Sequence, residues 1–292
     1  MRARTRERGR VADRTAAILA GIATALILGF VLLPIIAIFS RVPPGSLVAQ
    51  LHSEVAVQAL LVSLKTSLIA LALVIALGTP AAFLLSRTTS RWGAFLTTIL
   101  ELPLVLPPAV AGIGLLAAFG RAGLLGSSLR AMGIEIPFTQ VAVVMALSFV
   151  AIPFYVRQAL VSFAAVDPQL LAASRTLGAG RLRTFARVAL PMAMPGLTAG
   201  ATLAWARALG EFGATIMFAG SFQGVTQTLS LAIYIEFEAG SKDATTVALA
   251  MAGLLVIVSA GLLVGVKLMI RRRFTGEGVP ADMLDPTIAV TA

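Results

Sequence analysis

The chain has no cysteine, one histidine and three lysines among its 292 residues. Without cysteine there is no disulfide framework, no thiolate metal site and no thiol nucleophile. The lone His52 is expected in an external loop, and neither an HExxH nor a GxSxG arrangement occurs, so the convergent groups that hydrolytic chemistry needs are missing. Lys65, Lys242 and Lys267 do not follow the glycines of a GxxxxGK[ST] phosphate loop. If the protein uses ATP, the nucleotide must therefore be hydrolysed on another chain. The residues call for no metal and no cofactor, and they argue against an enzyme. Charge is also scarce, at 12% of residues.

What is present instead is apolar. Hydrophobic residues make up 58% of the chain and mean hydropathy is +0.95, values of an integral membrane protein. Runs long enough to cross a bilayer occur at 16–39, 60–85, 95–119, 141 to about 166, 197–219 and 245–270, which predicts about six transmembrane helices in an all-α membrane protein. Pro153 predicts a kink in the fourth. The first run looks superficially like a signal peptide, but it is too long and lacks a clear cleavage site, so it is read as an uncleaved helix. The division expected is a basic N-terminal segment (1–15), a first helix with its external loop (16–56), a transmembrane core (57–270) and a polar tail (271–292).

Orientation follows from the cations. One set of loops carries Arg2, Arg4, Arg6, Arg8, Arg10 and Arg14, then Arg87 and Arg91, then Arg157, Arg175, Arg181, Arg183 and Arg187, and finally Lys267 and Arg271 to Arg273. The opposite set carries only Arg41, Arg121, Arg130 and Lys242. The positive-inside rule then places both termini in the cytoplasm, together with the loop at 167–191. The net charge of +10 is thereby a topology signal, and no nucleic-acid partner is needed to explain it.

The loop reads DPQLLAASRTLGAGRLRTFARVALP. Asp167 is a good N-cap, Pro168 suits the first helical position and Gly178 fits a left-handed C-terminal cap, which predicts a short helix over 168–177. Ten residues span about 15 Å, half of a hydrocarbon core, so this helix cannot cross. Leu170, Ser174 and Leu177 share one stripe. Beyond Gly178, Leu182, Phe185 and Ala189 alternate with Arg181, Arg183 and Arg187 in a second amphipathic run. Such a basic pattern suits either a helix lying on anionic lipid or one that docks on a cytoplasmic partner.

Inside the spans, WARALGEFGAT sets Arg207 and Glu211 four residues apart on one helical face. A lone charge at mid-bilayer costs roughly 2.5–3.5 kcal/mol even on the lenient insertion scale, so the two are expected to pair or to face water. They are either a self-neutralising ion pair or part of a pathway. Lys65, which could snorkel, and Glu101, which could pair with a neighbouring helix, raise the same question, and with Arg207, Glu211 and Thr215 they form the candidate translocation pathway. Gly196 with Gly200, and Gly261 with Gly265, make GxxxG pairs expected first to pack helices and second to serve a dimer. Pro103, Pro107 and Pro108 interrupt the third span as a pore wall, a hinge or an inert kink.

The 167–191 loop resembles the cytoplasmic coupling motif of the membrane permease subunits of binding-protein-dependent ABC importers, in which an EAA triplet is followed by a fixed glycine and later by Leu-Pro. Ala172, Ala173 and Ser174 stand at the triplet, Gly178 at the glycine, and Leu190 with Pro191 at the pair; the glutamate is missing, which removes one salt bridge to an ATPase. LPLVLPPAVAGIGLL and ARALGEFGATIMFAGSFQGVTQTLSLAIY are similar to molybdate permeases, with sulfate and tungstate permeases as close relatives. The resemblance implies a type I importer permease fold and a homodimer in a bacterial plasma membrane. It also implies two cytoplasmic ATPase subunits and an external oxyanion-binding protein that carries most of the selectivity. The alternatives are a sulfate or thiosulfate permease and, from another class, a stand-alone secondary transporter, against which the docking loop argues.

Overall fold

The structure is a computed structural model that describes residues 2–88 and 90–275; the tail beyond 275 lies outside the described residues. The chain runs through α1 (Arg2–Arg41), α2 (Pro44–Gln50), α3 (Glu54–Leu85), α4 (Arg91–Glu101), α5 (Pro108–Phe119), α6 (Gly126–Ala131) and α7 (Gln140–Ala164). It continues as α8 (Pro168–Thr176), α9 (Arg181–Thr184), α10 (Leu190–Leu209), α11 (Gly213–Ala219), α12 (Leu229–Glu238) and α13 (Lys242–Thr275). Five helices are long and apolar enough to span a membrane, and a sixth span is counted if the α4–α5 pair crosses as one broken element.

The centre is a three-helix packing of α3, α7 and α10. Its logic is small residues at helical spacing. On α3 the buried positions Ala56, Ala59, Ser63, Thr66, Ser67, Ala70, Val74, Gly78 and Ala82 recur every three or four residues, so one narrow stripe faces its neighbours. Gly78 admits the Tyr155 ring of α7, since a Cβ there would lie 2.9 Å from the ring. Tyr155 and Thr79 then share a hydroxyl hydrogen bond of 2.6 Å. Gly196 and Gly200 do the same for α10: a Cβ on Gly196 would overlap Ser162, and one on Gly200 would come within 2.9 Å of Gln158, both on α7. This pair therefore packs helices within the chain. Gly261 and Gly265 have no atom of the described residues within 4 Å of a built Cβ. Apolar side chains along α1, such as Leu26, Phe30 and Leu33, project outward as a lipid-facing surface does.

Two expected spans are corrected. The third is no single crossing helix: a 3₁₀ turn at Leu102–Leu104 leads into a break, and the helices before and after it meet at 112°. Pro103, Pro107 and Pro108 lack the N–H groups that would carry the ladder through, and Pro107 holds an extended ψ of 135° as N-cap of α5. The fifth does not run over 197–219. Its continuous helical stretch is Arg181–Leu209, it ends at Gly210, and α11 is a separate element whose Gly213 lies against Pro108 of α5. The fourth passes through Pro153 as one helix, Gln140–Ala164.

Candidate coupling loop and intramembrane charge pair

The 167–191 segment is a helix–turn–helix fastened at both ends of its first helix. Asp167 Oδ1 accepts the Gln169 N–H at 2.8 Å, and Pro168 opens α8. The helix ends one residue earlier than expected, at Thr176. Gly178 has φ +84°, its N–H bonds the Arg175 carbonyl at 3.0 Å, and the Ala179 N–H bonds the Ser174 carbonyl at 3.1 Å, the two bonds of a Schellman cap. Ala172, Ala173 and Leu177 are exposed, Leu177 to 89%. Leu182 is exposed to 79%, so it does not join Phe185 and Ala189 in a buried face as the sequence pattern suggested.

The residue that anchors α8 is one the sequence stripe passed over. Leu171, only 6% exposed, points into the core, and the Ser174 hydroxyl lies 3.1 Å from the buried Thr184 hydroxyl. Phe185–Ala189 then forms a wide π turn before Leu190 and Pro191 begin α10. Leu190 is half-buried against the core and Pro191 is exposed.

Arg207 and Glu211 do meet, but across a helix end rather than along a helix. Arg207 is in the last turn of α10 and Glu211 in the break before α11. Arg207 Nη1 lies 2.6 Å from Glu211 Oε2, with side-chain exposures of 28% and 0%. Oε2 has no partner at hydrogen-bonding angles, so Coulomb attraction is the main bond there. The other oxygen, Oε1, accepts the Ala214 N–H at 2.8 Å and so caps α11. One carboxylate thus closes the break, satisfying a helix N-terminus and a guanidinium together. Thr215 is fully buried one turn on, its hydroxyl without a partner among the described residues.

The remaining pathway candidates lie apart from this pair. Lys65 is exposed and its Nζ donates to Gln140 Oε1 at the start of α7, at 2.8 Å. Glu101 is the half-buried last residue of α4, and neither is in an ion pair among the described residues. A second polar seam was not singled out in the sequence. Leu229 N–H at the head of α12 donates to Ser63 Oγ at 2.7 Å, and Trp205 Nε1 donates to Ser67 Oγ at 3.0 Å, tying α3, α10 and α12. Its signal was available: Ser63 and Ser67 stand one turn apart on α3.

Spanning helices packed through small residues, a broken pair, and a capped basic helix that projects Ala172, Ala173 and Leu177 define a membrane permease subunit. The chain belongs to the family described as the binding-protein-dependent transport system inner membrane component, whose family model matches residues 74–274. It is a multi-pass inner-membrane protein of that family. It is similar to the molybdenum transport system permease protein of Mycobacterium tuberculosis, 44% identical over 81% of this chain and 88% of that one. It is also similar to the molybdenum transport system permease protein of Escherichia coli K12, 42% identical over 68% and 90%. Among solved structures, the fold is shared with a chain of a bacterial alginate ABC transporter at TM-score 0.71, covering 89% of this chain and 96% of that one at 16% identity. A chain of the MetNI methionine ABC transporter gives TM-score 0.58, covering 75% and 95% at 20% identity.

Proposed function

We propose that this chain is the permease subunit of an ATP-driven molybdate importer, a transport subunit and not an enzyme. It receives the oxyanion from an external binding protein and works as a homodimer on two cytoplasmic ATPase subunits. The observation that carries the importer reading is α8: a short helix, capped at Asp167 and Gly178, whose outward side chains Ala172, Ala173 and Leu177 offer a smooth docking face. Molybdate is favoured by the 42–44% identity to molybdenum permeases over most of the chain. Uptake by vesicles holding the permease, its ATPase and the cognate binding protein is the test. Molybdate or tungstate should enter in preference to sulfate, and preferential sulfate uptake would overturn the substrate assignment.

The charge geometry divides the labour between the two intramembrane cations. Arg207 is neutralised at 2.6 Å by a carboxylate, so it adds little field for a passing dianion. Lys65 bonds a neutral amide, and no carboxylate among the described residues, and stays exposed. It is the better source of the positive potential that an oxyanion path needs, and dimerisation doubles it. Lys65→Gln should lower the uptake rate about 5- to 10-fold, an effect on the order of 1–1.4 kcal/mol, with assembly unchanged. Lys65→Arg should keep most of the rate. Equal uptake by Lys65→Gln and the unsubstituted protein would remove Lys65 from the path.

A further inference from the structure

We propose that Arg87 is the positioning residue that carries movement of the coupling segment into α3 and α7; this rests on the reading of α8 as the ATPase docking helix. In the sequence Arg87 is merely one of the arginines that set orientation. In the structure it stands just past the end of α3 and reaches across to the end of α7, where Nη2 donates to the Phe163 carbonyl at 3.0 Å and to the Val166 carbonyl at 3.4 Å. The Phe163 carbonyl lies in the last turn of α7, where it also accepts the Val166 N–H at 3.2 Å, and the Val166 carbonyl lies two residues past the helix end, so both sit at the negative end of its dipole. A guanidinium there satisfies both at once.

The same guanidinium lies 5.8 Å from the centre of the Phe83 ring. Phe83 of α3, Phe163 of α7 and Phe185 of the π turn form a closed aromatic triad, with centroid separations of 5.3 Å, 4.8 Å and 6.1 Å. Phe163 is fully buried. Phe185 directly follows Thr184, whose hydroxyl meets Ser174 on α8 at 3.1 Å. A continuous set of contacts therefore runs from the docking helix through Thr184 and Phe185 to the triad, and Arg87 bolts that triad to the ends of two core helices.

The alternative to this linkage would be a coupling segment hinged freely on Asp167 and on the π turn. A push on α8 would then be absorbed by the loop. With Arg87 in place, the ends of α3 and α7 and the root of α10 move as one block. Lysine is a partial substitute, because an ammonium can donate to both carbonyls as Nη2 does but brings no planar group to the Phe83 ring.

The test uses the full complex in nanodiscs and reads coupling separately from assembly. Arg87→Ala should insert, co-purify with the ATPase and keep basal ATP hydrolysis. Its stimulation by loaded binding protein should fall by about tenfold, an ordinary size for a coupling free energy, and Arg87→Lys should restore part of it. Because the chain has no cysteine, Leu84→Cys and Leu182→Cys, both exposed and off the docking face, can be spin-labelled as the two labelled sites of one protomer, with unlabelled protomer in excess so that distances across the homodimer do not contribute. Their separation should stay narrow and constant between nucleotide-free and ATP-bound states, and broaden in Arg87→Ala. Normal stimulation in Arg87→Ala with an unbroadened distance would overturn the proposal. Should that variant fail to insert, Phe185→Leu loosens the triad from the coupling side with the guanidinium still on its carbonyls, and normal stimulation there overturns it equally. Failure of the underlying docking reading looks different: an ATPase that stays bound when Ala173→Asp is placed on the exposed face of α8 defeats that reading, and this proposal with it.

Discussion

Gly178→Val should leave the spans inserted and abolish substrate-stimulated ATP hydrolysis and transport. At φ +84° the backbone lies in the left-handed region, where a β-branched residue is strained by roughly 1–3 kcal/mol. Nothing lies within 4 Å of a Cβ built on Gly178, so the penalty is purely conformational and no neighbour needs to move. The chain escapes it by opening the Schellman bonds from Gly178 to Arg175 and from Ala179 to Ser174. That re-aims everything from Arg181 onward relative to α8, including the Ser174–Thr184 contact. Gly178→Asn is the control, because asparagine tolerates the left-handed region and should retain much of the coupling. The measurement compares membrane insertion, ATPase co-purification and stimulated hydrolysis in the three proteins. Full stimulated hydrolysis in Gly178→Val would refute the role assigned to this turn.

The short helix α8 was legible because its limits are local: Asp167, Pro168 and Gly178 each act on backbone within four residues of themselves. Which side of it faces inward was not. Leu170, Leu171 and Leu177 have equal hydrophobicity, and only the position of Thr184 and the core decides that Leu171 is the buried one. The prolines of the third span announced a break, while the 112° turn depends on α11 packing against α5 through Gly112 and Gly213. A Cβ on Gly112 would lie 2.6 Å from the Ala214 carbonyl, so these two short helices touch backbone to backbone. The fifth span was misplaced toward 219 for a related reason. Apolar residues resume from Phe212 to Ala219 after the single charge at Glu211, and it is Gly210 with the capping role of Glu211 that ends one helix and starts another. Arg87 was invisible as anything but a charge, since its partners are backbone carbonyls, which every residue carries.

The two members of the Arg207–Glu211 pair should respond unequally to removal. Arg207→Ala strands a carboxylate whose side chain is 0% exposed, a loss on the order of 3–5 kcal/mol, and should collapse the folded yield. Glu211→Ala leaves a guanidinium that is already 28% exposed and can turn toward water along its own stem. It also costs the cap on the Ala214 N–H, about 1 kcal/mol. Removing both should therefore return the yield to about the level of Glu211→Ala, well above Arg207→Ala, because the stranded charge is gone. Folded yield by detergent gel filtration and uptake in vesicles would be measured for the two single variants and the double. Strictly additive losses would sink the pairing, as two independent side chains give no interaction energy in such a cycle. Recovery of yield with uptake still absent would mean more than pairing. The break that Glu211 closes between α10 and α11 would then be a moving part of the pathway, where a buried charge pair holds two helix ends in register until the transporter changes state.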